Sequence, residues 1–474
     1  MKKLLLGTAA ALSLTSAAAQ AGPALDTLTT LLPTDARVTF DAQTADSGQE
    51  IYEGLEYQIA GNTTRFEQAR LSLDAGVFGL EGQGVLSTDP DGTTTRIDEV
   101  SFLAPLALFD LETPPGGAQP DLNRFGEEVC GTIQAPLSVS ADGILVNGFG
   151  VIASARLDAS VQPLDGVCTL DIAQSVSGVD IVPEVGPGVR IGDQQLRGRT
   201  ALMMGLPETL TGETYGSTMS IRDVEMSLNG KPQLKISEIE ATSSLDADSA
   251  ITLASAGYNR HIEALTLGLS EMRAPAEQLP YADLWNGARA LNTQGSVRLK
   301  GAEVVGEEIS ELIPIPGLLD PGARLDLELS MTKMAELLEL ALKVDGSNTL
   351  LLDLIGAVRI DAADPSFNTL SPRALIMAAP VSVVSASARV SDRGVGAVGE
   401  QVIGMDPYAL IAPSLGGLIG EANATRLSDW VAGARDGGEA RISADPAQPV
   451  PVLMLGMLAL GDWAALGQML NVSR

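Results

Sequence analysis

Histidine, cysteine and aromatic side chains are scarce in this sequence, and their scarcity removes whole classes of chemistry. Among 474 residues there is one histidine, there are two cysteines, and aromatics make up 4%. One imidazole and two thiols leave almost no ligand set for a zinc site. A Ser–His–Asp triad would have to run through His261, in AGYNRHIEAL, and no G-x-S-x-G elbow is present. His261 reads better as a surface or interface polar residue. Carbohydrate-binding platforms rest on stacking aromatics, so that class is disfavoured. Basic residues are also short: 30 Lys and Arg face 60 Asp and Glu, for a net charge of −30. That balance argues against nucleic acid and against adsorption to anionic lipid surfaces, and describes a self-repelling, solvated exterior.

Three short motifs hint at chemistry and then fall short of it. Ser330-Met331-Thr332-Lys333 matches S-x-x-K, in which a helix start presents serine to a lysine one turn later, but no S-D-N or K-T-G follows. A capped helix start is the plainer reading. Gly394 to Gly399, GVGAVG, matches G-x-G-x-x-G. Ser391-Asp392-Arg393 separate it from a strand that alternates instead of being apolar on both faces, so it reads as a Gly-rich turn. Asp89-Pro90-Asp91-Gly92 lacks the remaining acidic positions of a calcium loop and reads as a β-turn. No catalytic, cofactor-binding or metal-ligating residue is assigned, and the expectation is a non-enzymatic protein without a cofactor.

What is present begins with an export signal. MKKLLLGTAAALSLTSAAAQA has Lys2 and Lys3, a short apolar stretch and an A-x-A end, so residues 1–21 read as a signal peptide cleaved after Ala21. Gly22 would be the mature N-terminus and the location periplasmic, with a net charge of −32 once Lys2 and Lys3 leave. The apolar stretch is too short to span a bilayer comfortably as an uncleaved anchor. Cys130 and Cys168, 38 residues apart and both in strand-like text, are expected to pair in that oxidising compartment. Chain entropy would give the bridge about 4 kcal/mol.

The rest is β text. Thr218 to Ala241 reads as a hairpin around Asn229-Gly230. Each arm carries a phrase, Ile-x-[Asp/Glu]-[Val/Ile], at Ile221–Val224 and Ile236–Ile239. It recurs at Ile97–Val100, and more loosely at Phe66–Ala69 and Ile262–Leu265. Residues three apart fall on opposite faces of a regular strand, yet both phrase positions are apolar. A β-bulge adding one residue would return both to the buried face.

Further strands are expected at 36–43, around EIYEGLEYQIAG with a turn at Gly61-Asn62, and at 77–87, 93–104 and 143–158. The Gly- and Pro-rich stretch 183–217 reads as a connection, 276–295 as a short helix before the strand SVRLKGAEV, and 312–323 as a second junction. The alternation of Leu325, Leu327, Leu329 and Met331 then gives way to helical spacing at Met331, Met334, Leu338 and Ala341. TLLLDLIGAVRID and VSVVSASARV read as strands, and DPYALIAPSLGGLIG and ATRLSDWVAGARDGG as short helices, the second stopping at Gly437-Gly438. The apolar tail, 452–470, reads as a buried helix closing the sheet, or as a membrane-facing one.

The fold expected is therefore mainly β: an elongated, twisted antiparallel sheet of repeated bulged strands, with helices concentrated near the C-terminus. Its regions would be 22–200 with the Cys130–Cys168 bridge, 201–320, and 321–474 with capping helices. The strands exemplified by SIRDVEMSLNGKPQLKISEIEA resemble the text of AsmA-like and YdgA-like envelope proteins of Gram-negative bacteria, best over 215–270 and loosely over 50–105. In the AsmA-like group such strands form a curved sheet with an apolar concave face, linked to lipid handling or outer-membrane maintenance. The resemblance implies a periplasmic protein that binds lipid or another apolar envelope component. The alternatives are a closed-core module that binds an envelope protein, and a hydrolase using Ser330 and Lys333 or His261.

Overall fold

A computed structural model describes residues 22–33, 35–108, 130–131, 133, 135–164, 167–181, 183, 185–201, 215–245, 292–308, 321–334, 336–347, 350–360, 381–410, 413–414, 421–435, 438–452, 454, 465 and 468–473. Strands account for 67% and helices for 14%, and the antiparallel sheet is not closed. The chain forms two compact units, Met1–Glu208 with Met219–Gly230, and Thr209–Thr218 with Lys231–Arg474.

The first unit opens with α1 (Pro23–Leu31) and continues through β1 (Arg37–Thr39), β2 (Ala42–Asp46), β3 (Gln49–Glu53), β4 (Glu56–Ile59), β5 (Asn62–Asp74), β6 (Val77–Thr88) and β7 (Thr94–Pro105). Then come β8 (Leu137–Val146), β9 (Gly150–Leu164), β10 (Val167–Ile181), β11 (Pro187–Ala201) and β12 (Tyr215–Leu228). From β5 to β11 each strand pairs antiparallel with the next. The amphipathic α1, started by Pro23 in its first turn, lays Ala24, Leu25 and Leu28 on Tyr52, Leu55, Phe66, Leu71, Phe78 and Val85 to make the core. Cys130, in a helical turn and not in a strand, bridges to Cys168 on β10 with the Cα atoms 5.7 Å apart.

Both positions of the repeated phrase do reach one face, but not through a bulge in a single strand. Along β5, Thr64 and Phe66 are buried, then Ala69 and Leu71, with two residues intervening instead of one. On β6 the same slip separates Gly82 from Val85, and on β7 Ile97 and Val100 both pack on the core. The register is nevertheless identical on either side: Phe66 opposes Val85 and Gln68 opposes Gln83, just as Val179 opposes Ile191 and Ser177 opposes Asp193. From β5 to β11 each strand carries its extra residue at the same level, so these ladders stay in step. On alternate strands this residue has positive φ: Gly84 on β6, Gly143 on β8, Gly178 on β10 and Asp223 on β12. At Gly178 a side chain is also excluded by space, because a Cβ would lie 2.6 Å from that of Ala153 on β9.

The second unit runs β13 (Lys231–Leu245), β14 (Thr293–Val304), β15 (Arg324–Met334), β16 (Leu337–Gly346), β17 (Leu350–Ile360) and β18 (Val381–Asp392) as successive antiparallel neighbours. Then follow α2 (Val395–Ile403), a 3-10 turn (Pro407–Leu410), α3 (Glu421–Ala432), β19 (Ala440–Ala444), β20 (Val450–Pro451) and β21 (Val472–Ser473). In this unit β14 also carries an extra residue, Gly301, with φ +61°. Against β13 the register is unshifted, but β15 has no matching residue, and the pairing slips between Leu299 and Ala302. Here the expected bulge is real, and Asp326 on β15 accepts the Gly301 N–H at 2.5 Å.

Several expectations are corrected. Residues 331–345 form no helix: β15 and β16 are a hairpin in which Met334 opposes Leu337 and Met331 opposes Leu340. The connection read at 183–217 contains β11, a strand of 15 residues. The stretch 143–158 is two strands that turn at Asn147-Gly148, where the Phe149 N–H donates to Val146 O at 3.0 Å. The turn at 60–62 uses Ala60 and Gly61, both at positive φ, as are Asn229 and Gly230 after β12. α3 stops at Ala432, before the Gly437-Gly438 signal. The phrase at 262–265, the helix at 276–295 as far as 291, and most of the 452–470 tail lie outside the described residues.

Replacing Gly301 by alanine should cost about 1–2 kcal/mol, because its left-handed backbone disfavours any Cβ. Gly356 on β17 has open space at its Cβ position and no positive φ. Gly356→Ala should be neutral or slightly stabilising. Urea unfolding of the two variants decides the point: equal midpoints would show that the Gly301 backbone is not required.

Candidate apolar face and its surroundings

In the second unit, side-chain alternation gathers the ion pairs on one face of the sheet, which also carries Met334, Leu337 and Ile355. There Lys300 meets Glu238 at 2.8 Å, Arg298 meets Glu328 at 2.7 Å, and Arg393 meets Asp345 at 2.5 Å. These pairs are substantially exposed, so each contributes little stability. Shallow hollows of about 480 Å³, at Asp353, Arg389, Arg441 and Ser443, and about 210 Å³, at Arg298, Asp326 and Lys343, lie between such side chains.

The other face is apolar across β14, β15 and β16. Val297 opposes Leu329, Leu299 opposes Leu327, Leu329 opposes Leu342, and Met331 opposes Leu340. Continuing outward, Leu342 opposes Leu354, which opposes Ala388. Val297, Leu329 and Leu340 each remain 45% exposed. Aliphatic side chains on adjacent, in-register positions thus make one contiguous half-open surface, unlike the scattered exposed leucines normal for any protein. The described helices of this unit lie elsewhere, with α2 and α3 against the 3-10 turn and α3 against β19.

The motifs singled out in the sequence resolve into local structure. Ser330 and Lys333 both lie on β15, three residues apart, and therefore point to opposite faces. Ser330 sits opposite Ser296 and Ala341 on the polar face. Lys333 shares the face of Leu329 and Met331, and burial there holds its amine below the usual lysine range. The spacing that would join them on a helix separates them on a strand. His261 lies outside the described residues.

The Gly394–Gly399 stretch opens α2, and the anion at its start is the chain's own. Asp392, almost fully buried, accepts from Gly394 N at 2.8 Å, Gly396 N at 2.9 Å and the Tyr408 hydroxyl at 2.5 Å. Gly396 is needed because a Cβ would lie 2.6 Å from Asp392 Oδ2 and 2.7 Å from the Tyr408 ring. Burial, and next the Asp392 carboxylate, push the Tyr408 hydroxyl above the usual phenol range. Arg435 stacks 4.7 Å from the Tyr408 ring centroid and pairs with Asp406, whose carboxyl stays below the usual range through those bonds despite desolvation. The arrangement fastens α2 and the 3-10 turn to the end of β18.

Asp89 behaves as the turn residue expected, its Oδ1 accepting from Asp91 N at 3.0 Å and Thr93 N at 2.8 Å. Among the described residues no three His, Cys, Asp or Glu side chains cluster as metal ligands, and no helix is long and apolar enough to cross a membrane. No protein-family model, curated protein or solved structure matches the chain.

Two outcomes follow from this geometry. Asp392→Ala strands three partly buried donors and should cost about 1–3 kcal/mol, read as faster hydrogen exchange through α2; unchanged exchange would refute the cap. A fluorophosphonate probe should leave Ser330 unmodified, and peptide mapping that finds the adduct there would overturn the separation of Ser330 from Lys333.

Proposed function

We propose that this is a non-catalytic, exported component of the bacterial cell envelope that holds a lipid or similarly apolar envelope molecule on the face built by β14, β15 and β16. The observation that carries the reading is the in-register set Val297, Leu329, Met331 and Leu340, left half-exposed on a sheet whose opposite face is ionic. Leaving such side chains in water forgoes about 25 cal/mol for every Å² of apolar surface, which an alkyl chain laid across the strands would recover. The ligand's recognition is by shape and apolarity. The net charge of −30 gives no general attraction for anionic headgroups. The signal-like residues 1–21 and the resemblance to AsmA-like strand text support a periplasmic location.

Protein purified from its own host without detergent should carry lipid, visible as mass adducts in native mass spectrometry and recovered by organic extraction. The double variant Leu329→Asp with Leu340→Asp should lose that lipid by at least about tenfold, since burying each leucine contributes about 1.5–3 kcal/mol. Circular dichroism would establish that the variant keeps its sheet. Repeated recovery of the wild type without lipid would refute the reading, and stoichiometric capture of one envelope protein at this face would replace it with a protein-interaction role.

A further inference from the structure

Glu50 is the carboxylate in the core of the first unit that nothing above uses. It is 9% exposed, and its partners are all neutral: Ala24 N at 2.8 Å, Leu25 N at 3.1 Å and the Tyr52 hydroxyl at 2.8 Å. Among the described residues it makes no ion pair. A buried carboxylate normally has a cation beside it, because desolvation is only partly offset by neutral donors. Its immediate neighbour is Gly22. A Cβ at residue 22 would lie 2.1 Å from Glu50 Oε1 and 2.6 Å from Oε2, so the carboxylate lies against the Gly22 backbone. Gly22 is the residue at which the A-x-A signal would be cut.

We propose that Glu50 is the receptor for the α-ammonium released when the Ala21–Gly22 bond is cleaved, so that export processing itself completes the docking of α1 on the core. This rests on reading residues 1–21 as a cleaved signal. In the hydrolysis, supplied by a signal-removing peptidase of the cell, water adds across the amide. The Ala21 carbonyl carbon takes the hydroxyl and leaves as a carboxylate, and the Gly22 nitrogen keeps the electron pair of the broken bond and takes up protons to become an ammonium. A neutral one-donor amide thereby becomes a cation with three donors beside an otherwise unpaired carboxylate. The same carboxylate already binds the first free N–H groups of α1, where negative charge is favoured. One anion therefore clamps the new chain end and the helix start together, and the helix holds Ala24, Leu25 and Leu28 over the core.

The test compares three full-length mature chains: one beginning with a free Gly22 amine, one Nα-acetylated at Gly22, and one retaining Gln20-Ala21. Each is made with Glu50 and with Glu50→Gln. Hydrogen exchange of the α1 amides should be slower by about tenfold or more in the free-amine chain than in the other two, a difference of the size of one charge-assisted hydrogen bond. It should vanish in the Glu50→Gln background. Should Glu50→Gln fail to fold, the comparison of free and acetylated chains with Glu50 intact still decides. Equal protection in all chains, or a difference that persists without the carboxylate, overturns the docking. Intact-mass measurement of the exported protein tests the processing step separately: a start at Gly22 supports it and any other start overturns it.

Discussion

Side-chain alternation with a period of two is the constraint on which the rest of this molecule depends. A strand that inserts one residue moves every later side chain to the opposite face. In a sheet with one apolar and one ionic face, an unmatched insertion would put leucines among the salt bridges and carboxylates in the core. The first unit avoids this by repeating the insertion at one level in successive strands, so that Phe66, Val85 and Ile97 stay on one face with Ala69, Gly82 and Val100. Positive φ on alternate strands, at Gly84, Gly143, Gly178 and Asp223, is the local backbone cost of this continuity. Within the second unit β15 lacks the extra residue that β14 carries, and there the register shifts by one. The repeated phrase in the sequence is the trace of these insertions.

That trace was legible because it is local. Four consecutive residues with apolar ends suffice to say that the face is kept, and Asn229-Gly230 suffices to place a turn. The matching of insertions between strands was not legible, since nothing in Ile97–Val100 names Gly84 or Gly143 as the partner level. α1 escaped for the same reason: its cap, Glu50, lies 25 residues from Leu25, and its apolar partners are spread over β3 to β7. The false helix at 331–345 has a different cause. Two period-two runs folded back at Met334 and Leu337 place apolar residues at 331, 334 and 338, a spacing that imitates a helical stripe. β11 was hidden by its glycines, of which Gly192 is required where the Asp223 Cβ approaches to 2.9 Å. Of the candidate site, the run Leu325 to Met331 was visible as alternation, but its half-exposure is a property of the assembled sheet.

The ion pairs fit the same two-faced plan. Ion pairs such as Arg199 with Asp171 and Arg156 with Asp158 occupy the positions between apolar ones, and each guanidinium holds its carboxyl below the usual range. Those groups strengthen folding above the ordinary carboxylate range, and lose that contribution as pH falls through their depressed folded values. Their exposure keeps the contribution small. The charge therefore secures orientation, marking which face is solvated, far more than it secures stability.

A sheet with one apolar face must cover that face. Over β3 to β7 the chain supplies the cover itself: Glu50 fixes the start of α1, whose Leu25 and Leu28 pack on the core. The second unit uses the same device at a different place, where Asp392 fixes the start of α2. That carboxylate caps a helix lying at the end of β18, while Leu329 and Leu340 stay half-exposed. Two buried carboxylates thus do the same mechanical task with opposite results for the sheet. The α1 helix buries the face of β3 to β7, whereas α2 packs against the 3-10 turn and leaves Leu329 and Leu340 half-exposed.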